Sequence, residues 1–356
     1  MKQRKNGSSR RTFLKAAGAA AFVAHVPMII ADDKPLEKNP IVGEGQYKYE
    51  CIHGWAKLPE GMRFGNTHMV QEDAQGRIFI HHQNGAPDSV FIFDPDGKFI
   101  KSWGKDWRGG AHGMQMRKEG NEEFLYLATT GQGRIVKTNL DGEVVFNNGY
   151  PQDAKDAAGK PCYEAGKGFV PTNIAFGPNG DFYVADGYGK NFIHQYDIKG
   201  QWIRTWGGSG NKDGQMSCNH GIFTDTRDSA NPRLLVADRS NERLQYFSLD
   251  GKHLATIKPA EANGYRHPCH FDQRGDVLVC PGLHGRVTIL DKQNQVAAIL
   301  GDNTDPATSG KNNATADKRK PGIFCAPHGA TFDRAGNIYI TEWVSDGRVM
   351  KLRPVA

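Results

Sequence analysis

Three His-Gly pairs carry the clearest chemical signal in this chain: His112-Gly113, His220-Gly221 and His328-Gly329, with successive pairs 108 residues apart. Three imidazoles brought to one point make a facial nitrogen set with an open fourth position. That is the donor pattern of a catalytic zinc site, whereas structural zinc sites are closed by four ligands. Two further residues stand in corners that would place them near such a centre, Tyr188 in Asp186-Gly187-Tyr188 and Arg239 in Asp238-Arg239. A phenol beside a cation has a lowered pKa and can serve as a base, and a guanidinium can orient a carboxylate. Each pattern also has a structural alternative, since histidines cap strands and corner Tyr and Arg residues often only hydrogen-bond at the surface.

Side chains so far apart in sequence converge only if the chain repeats. It restarts six times, at His68, His112, Thr172, His220, His267 and His328, with Gly76, Gly120, Gly180, Gly275 and Gly336 eight residues after five of these; the fourth unit has an insertion instead. The runs that follow, RIFIHH, EFLYLA, DFYVAD, RLLVAD, DVLVCP and NIYITE, alternate with period two and favour β-branched and aromatic residues, which marks strands. Asp96-Gly97, Asp141-Gly142, Lys199-Gly200 and Asp250-Gly251 fit hairpin turns that need positive φ. The DPDG of residues 94–97 is read as such a turn, because the rest of a calcium loop is missing.

Six units with four short strands each predict an all-β, six-bladed β-propeller. The first strand of each blade lines the central channel, so the six opening residues form a ring. On that ring His112, His220 and His328 fall on alternate blades, 120° apart. His68 and His267 lack the following Gly and are expected to line the channel, support the ligands or touch substrate. The last unit ends at Leu352 after its third strand, so residues 47–52 are expected to supply the fourth and close the ring. The connections 147–169 and 301–326 exceed usual loop lengths and are expected on the rim of a binding site.

Six of the cations, Lys2, Arg4, Lys5, Arg10, Arg11 and Lys15, precede Ala31 with no acid among them, leaving residues 32–356 with 39 cations and 39 acids. The balance gives no basic footprint for nucleic acid. Ser9-Arg10-Arg11-Thr12-Phe13-Leu14-Lys15 reads as a twin-arginine export signal. The apolar run 16–31 behind it is interrupted by His25 and Pro27 and is short for a membrane span. The expected organisation is a signal over 1–31, a linker over 32–45 and a propeller over 46–356. The expected location is the periplasm or another extracytoplasmic space, with no membrane span once the signal is removed and an anchor if it is retained. The six cysteines show no CxxC spacing, and no HExxH, GxSxG or Walker-type sequence occurs.

Together, VPTNIAF, DFYVADGYGKNFIHQY, WIRTWG, LLVADRSNERLQYF and APHGATFDRAGNIYI resemble the peptidyl-α-hydroxyglycine α-amidating lyase family, six-bladed propellers of the NHL-repeat class. The resemblance implies a catalytic zinc on His112, His220 and His328, a catalytic tyrosine at Tyr188 and an active-site arginine at Arg239. A second family arginine falls nearest to Arg63. The implied reaction cleaves an N–Cα bond to give an amide and glyoxylate from a peptide or small-molecule substrate. The family's structural calcium uses an Asp after the third ligand, where this chain has Gly329, so zinc is expected and calcium ranks second. Two other readings stay open. One is a calcium-type lactone or ester hydrolase on the same scaffold, for which Glu342 and Asp186 are the carboxylates at hand. The other is a non-catalytic NHL-repeat protein that binds a peptide or another protein of the cell envelope.

Overall fold

The computed structural model describes residues 28–30, 38–164, 167–259 and 264–355. Six antiparallel sheets succeed one another along the chain. The first contains Asn66–Glu72, Ile78–Gln83, Val90–Phe93 and Phe99–Trp103 in order. The next four span 111–148, 173–207, 219–257 and 272–300, again with consecutive strands adjacent. The sixth begins with Pro327–Phe332, Ile338–Glu342 and Arg348–Pro354. The expected six-bladed β-propeller is the observed fold. Among the described residues the only helices are four short 3-10 turns, and none is long and apolar enough to cross a membrane.

The ring closes as the sequence implies. Tyr49–Ile52 pairs antiparallel with the last strand, with Cys51 opposite Leu352 and Ile52 opposite Lys351. Ile41–Val42, within the stretch expected to be a linker, adds a fifth strand outside it. Val42 is buried in the core between the fifth and sixth blades, so these apolar residues belong to the fold. Met28–Ile30 pairs with Lys57–Pro59 and thus adds three residues of the 1–31 segment to it. The rest of the segment expected to be a signal lies outside the described residues. The Cys51 amide also donates to the Pro40 carbonyl at 2.8 Å. Cys51→Pro removes that donor in a doubly paired, buried strand, and is expected to cost about 3 kcal/mol, at the upper end for single substitutions, read as a lowered urea midpoint.

The blades are packed by aromatic and branched residues between neighbouring sheets. Tyr126, Phe182, Phe192 and Tyr196 fill the space between the second and third, where each buried side chain of this size is worth roughly 1.5–3 kcal/mol. Recurrent tryptophans tie one blade to the next. Trp55 Nε1 donates to the Pro95 carbonyl and Trp103 Nε1 to the Leu140 carbonyl, both at 3.1 Å. Each indole lies over the following blade's outer hairpin. At Gly142, φ +90°, an added Cβ would stand 2.7 Å from the Trp103 ring, so turn geometry and indole packing both require glycine there. Asp94 is a turn residue as read, its Oδ1 accepting the Asp96 and Lys98 amides. The six cysteines form no disulfide.

Candidate metal centre

His68, His112, His220 and His328 all lie on inner strands, each at or beside a register shift in the pairing of that strand with the second. A bulge turns one side chain out of the pleat, here into the channel. The rings of His112, His220 and His328 form an almost equilateral triangle, with centroids 4.7, 4.7 and 4.6 Å apart. Each Nδ1 meets a backbone carbonyl of the intervening blade: His112 with Thr172 O at 2.7 Å, His220 with Cys269 O at 2.8 Å and His328 with His68 O at 3.1 Å. A carbonyl can only accept, so Nδ1 carries the proton and Nε2 keeps its lone pair, the tautomer a metal-ligating imidazole needs.

The same carbonyls explain the glycines. A Cβ on Gly113, Gly221 or Gly329 would stand 2.4–2.5 Å from the oxygen that accepts the preceding histidine's proton. The His-Gly pair is therefore one device, in which glycine admits the carbonyl and histidine binds it. Burial pushes the His112 imidazole down to about 3 and those of His220 and His328 well below their usual range, so all three are neutral at pH 7. The donor set fits a zinc-type ion.

His68 also reaches this group. Its ring is 4.7 Å from His112 and 4.5 Å from His328, and donor atoms of these three lie within 4.8 Å of one another. Two overlapping triads therefore share His112 and His328. Hydrogen bonding separates them. His68 Nδ1 faces His328 Nε2 at 3.3 Å and its Nε2 is buried without a partner, whereas His220 is oriented by a carbonyl like the other two. His220 thus shares the carbonyl-oriented arrangement of His112 and His328, and His68 stands beside the latter two.

Tyr188 covers the triangle. Its hydroxyl lies 3.0 Å from His220 Nε2 and 3.2 Å from His112 Nε2. The residue keeps 43% of its surface exposed while the hydroxyl reaches in among the imidazoles. That burial pushes the phenol up to about 12, against the pull of Arg239. Burial thus outweighs Arg239 at this phenol, and the lowered value expected from sequence would need a cation held by the imidazoles. Arg239 Nη2 is 3.4 Å from the Tyr188 hydroxyl and its Cζ lies 5.3 Å from the centre of that ring. The two corners meet at one mouth.

Both corners are anchored by buried acids. Asp186 accepts the Val170 and Lys190 amides at 2.6 and 2.7 Å and the Tyr163 hydroxyl at 2.7 Å. Tyr163 comes from the long 147–169 connection and also touches His194 Nε2 at 2.7 Å. Asp238 accepts the Ser217 amide and pairs with Arg243. Glu342 binds the Cys325 and Ala326 amides and Arg348. These carboxylates hold the segments leading into the inner strands, so Asp186 and Glu342 are not channel oxygens for a calcium-type hydrolase centre.

Burial pushes the Asp186 carboxyl up to about 6 despite its three donors. With an unfolded value near ~3.9, the folded state binds the proton more tightly. The stability this adds is full below about pH 4 and is lost as pH rises through 6. Asp186→Asn is expected to flatten that part of the profile, seen as the difference in unfolding free energy from wild type at pH 4 and pH 7.

One sequence expectation needs correction. The fifth blade opens with Cys269, whose carbonyl occupies the ring position, and not with His267. Arg274 pairs with Val277 across a two-residue turn, and Gly275 in that turn follows Cys269 by six residues instead of eight, so counting back from Gly275 overshoots by two. His267 instead contacts Glu242 and stacks on His284. Arg63 is exposed, its backbone bridging Ala86, and its side chain makes no hydrogen bond to the ring. Missed by sequence were Cys269, Tyr163 and His270. The last, one residue after Cys269, meets Asn173 at 2.9 Å and Gln115 at 3.3 Å in a second polar layer of the channel.

Fold and site define a six-bladed β-propeller with a histidine-lined channel. No family model matches the chain. It is similar to peptidyl-glycine alpha-amidating monooxygenase B of Xenopus laevis, 27% identical over 205 residues, covering 54% of this chain and 22% of that protein. Peptidyl-alpha-hydroxyglycine alpha-amidating lyase 1 of Drosophila melanogaster is 29% identical over 154 residues, 40% of this chain and 24% of the relative. Human NHL repeat-containing protein 3 is 25% identical over 209 residues, 57% of each. The match thus spans about a fifth of the length of the Xenopus relative. A streptogramin B lyase has TM-score 0.57 at 14% identity over 87% of this chain and 99% of that one. A gluconolactonase of Xanthomonas campestris has the same score and identity over 92% and 97%. At these identities the structures attest the fold, and the sequence relatives bear out the resemblance to amidating enzymes.

Proposed function

We infer that this chain is a metal-dependent lyase that splits a peptidyl-α-hydroxyglycine, or a compound with the same hydroxy-amide carbon, into an amide and glyoxylate. The observation that carries this is the set of three neutral imidazoles with Nε2 unprotonated, capped by Tyr188 with Arg239 beside it. His112, His220 and His328 would hold zinc, which when bound supplies a Lewis acid for the substrate's α-hydroxyl.

The residues of the chain do the rest. The Tyr188 hydroxyl, 3.0–3.2 Å from two of the ligand atoms, is placed to take the α-hydroxyl proton. Arg239 favours its phenolate by charge. As the hydroxyl oxygen becomes the carbonyl of glyoxylate, the N–Cα bond breaks and the proton passes to the departing amide nitrogen. Arg239, with its Nε buried and unpartnered, presents a planar fork suited to the substrate carboxylate. The SRRTFLK sequence supports a site of action outside the cytoplasm.

The test is a glyoxylate-release assay on an α-hydroxyglycine peptide, with metal quantified on the same sample. Equal yields of amide and glyoxylate, lost on chelation and restored by zinc, are expected. Zinc-loaded protein that releases no glyoxylate would overturn the reading and leave the binding-protein alternative.

A further inference from the structure

We propose that Glu242, His267 and His284 form a second divalent-metal site of zinc type, on the rim of the channel mouth and separate from the three-histidine centre. One donor atom from each of the three lies within 4.8 Å of the others. Ligands about 2.0–2.2 Å from one ion stand at most roughly 4.4 Å apart, so closure needs only a sub-ångström shift. Two imidazoles and a carboxylate suit zinc and its transition-metal neighbours and leave positions open, whereas calcium takes oxygen donors alone.

Three features indicate a built site. First, Glu242, Arg266 and His267 have φ of 51°, 47° and 63°, left-handed backbone that side chains other than glycine adopt at a cost and that gathers at ligand clamps. Arg266 is held there by Asp302 and the Asn303 carbonyl at 2.9 and 2.8 Å. Second, the imidazoles of His267 and His284 lie almost parallel, with centroids 4.2 Å apart and planes 17° apart. Third, the long 301–326 connection confines His284. Ser309 donates to its carbonyl at 2.9 Å, and a Cβ on Gly310 would stand 2.5 Å from its ring.

A purely structural role accounts for Glu242, which accepts both the His267 amide and ring N–H. It does not account for His284, whose exposed ring makes no hydrogen bond among the described residues. The site adjoins the lyase mouth: Glu242 follows Arg239 by three residues, and Cys269 Sγ contacts the His267 carbonyl at 3.4 Å and Arg239 at 4.0 Å. The proposal does not depend on the lyase reading.

The test is equilibrium dialysis of the stripped full chain against zinc, with calcium as the control. Wild type is expected to bind two equivalents, and His284→Ala one. His112→Ala/His328→Ala is expected to keep one, which adding His284→Ala removes. Glu242→Gln, which preserves side-chain shape, should weaken the rim site at least about tenfold, by analogy with the loss of a supporting group around a metal. Two equivalents retained in His284→Ala, or none in a folded His112→Ala/His328→Ala protein, overturn the proposal. One equivalent in wild type that is lost only with His284→Ala would sustain it and sink the channel centre.

Discussion

Tyr188→Phe is expected to lower glyoxylate release by about 10²–10⁴-fold, the usual contribution of one positioned acid–base group, while metal content stays unchanged. The substitution removes one oxygen. The ring that packs edge-on against His112 and His220, at 5.1 and 5.4 Å, is kept, as is the face next to Arg239. The Nδ1 bonds that orient the ligands do not involve Tyr188, so the imidazole triangle should persist. Metal analysis and turnover on the same preparation check the result. A variant that turns over at full rate removes Tyr188 as the base, and one that loses its metal makes it a structural group instead.

His220→Ala should have the second large effect, a fall of activity to background with loss of the channel metal. His220 is the one vertex that His68 does not neighbour, since the His68 ring lies tilted against His112 and edge-on to His328. Zinc should raise the melting temperature of wild type, because a ligand present at 1,000 times its Kd stabilises the folded state by about 4 kcal/mol. In His220→Ala only the part due to a rim site should remain. His68→Ala should retain the channel metal, and the reverse pattern would assign the other overlapping triad as the centre.

Much of this was legible in the sequence because the repeat is regular where it matters. The 108-residue spacing of the His-Gly pairs identifies alternate blades without any knowledge of the loops between them, and the unfinished sixth unit announces the closing strand. What escaped depends on details that a period does not encode. In the fifth blade the turn glycine follows the opening residue by six positions instead of eight, which hid Cys269 and misplaced His267. Tyr163 supports Asp186 from an irregular connection whose path no pattern specifies. Asp186 and Glu342 offered the right chemistry for a calcium site, yet backbone amides occupy them. The tyrosine's raised pKa could not be read at all, because it depends on how deeply the hydroxyl is buried.

The closing strand also has a consequence for how the protein becomes active. Glu50 and Arg353, which pair across that seam, are 303 residues apart. Closing so long a loop is entropically costly and slow relative to forming hairpins within a blade. The three imidazoles come from blades two, four and six and meet only when the ring is shut. Individual blades can therefore form early, but ion uptake in the channel should come last, making metal capture a clock for completed assembly.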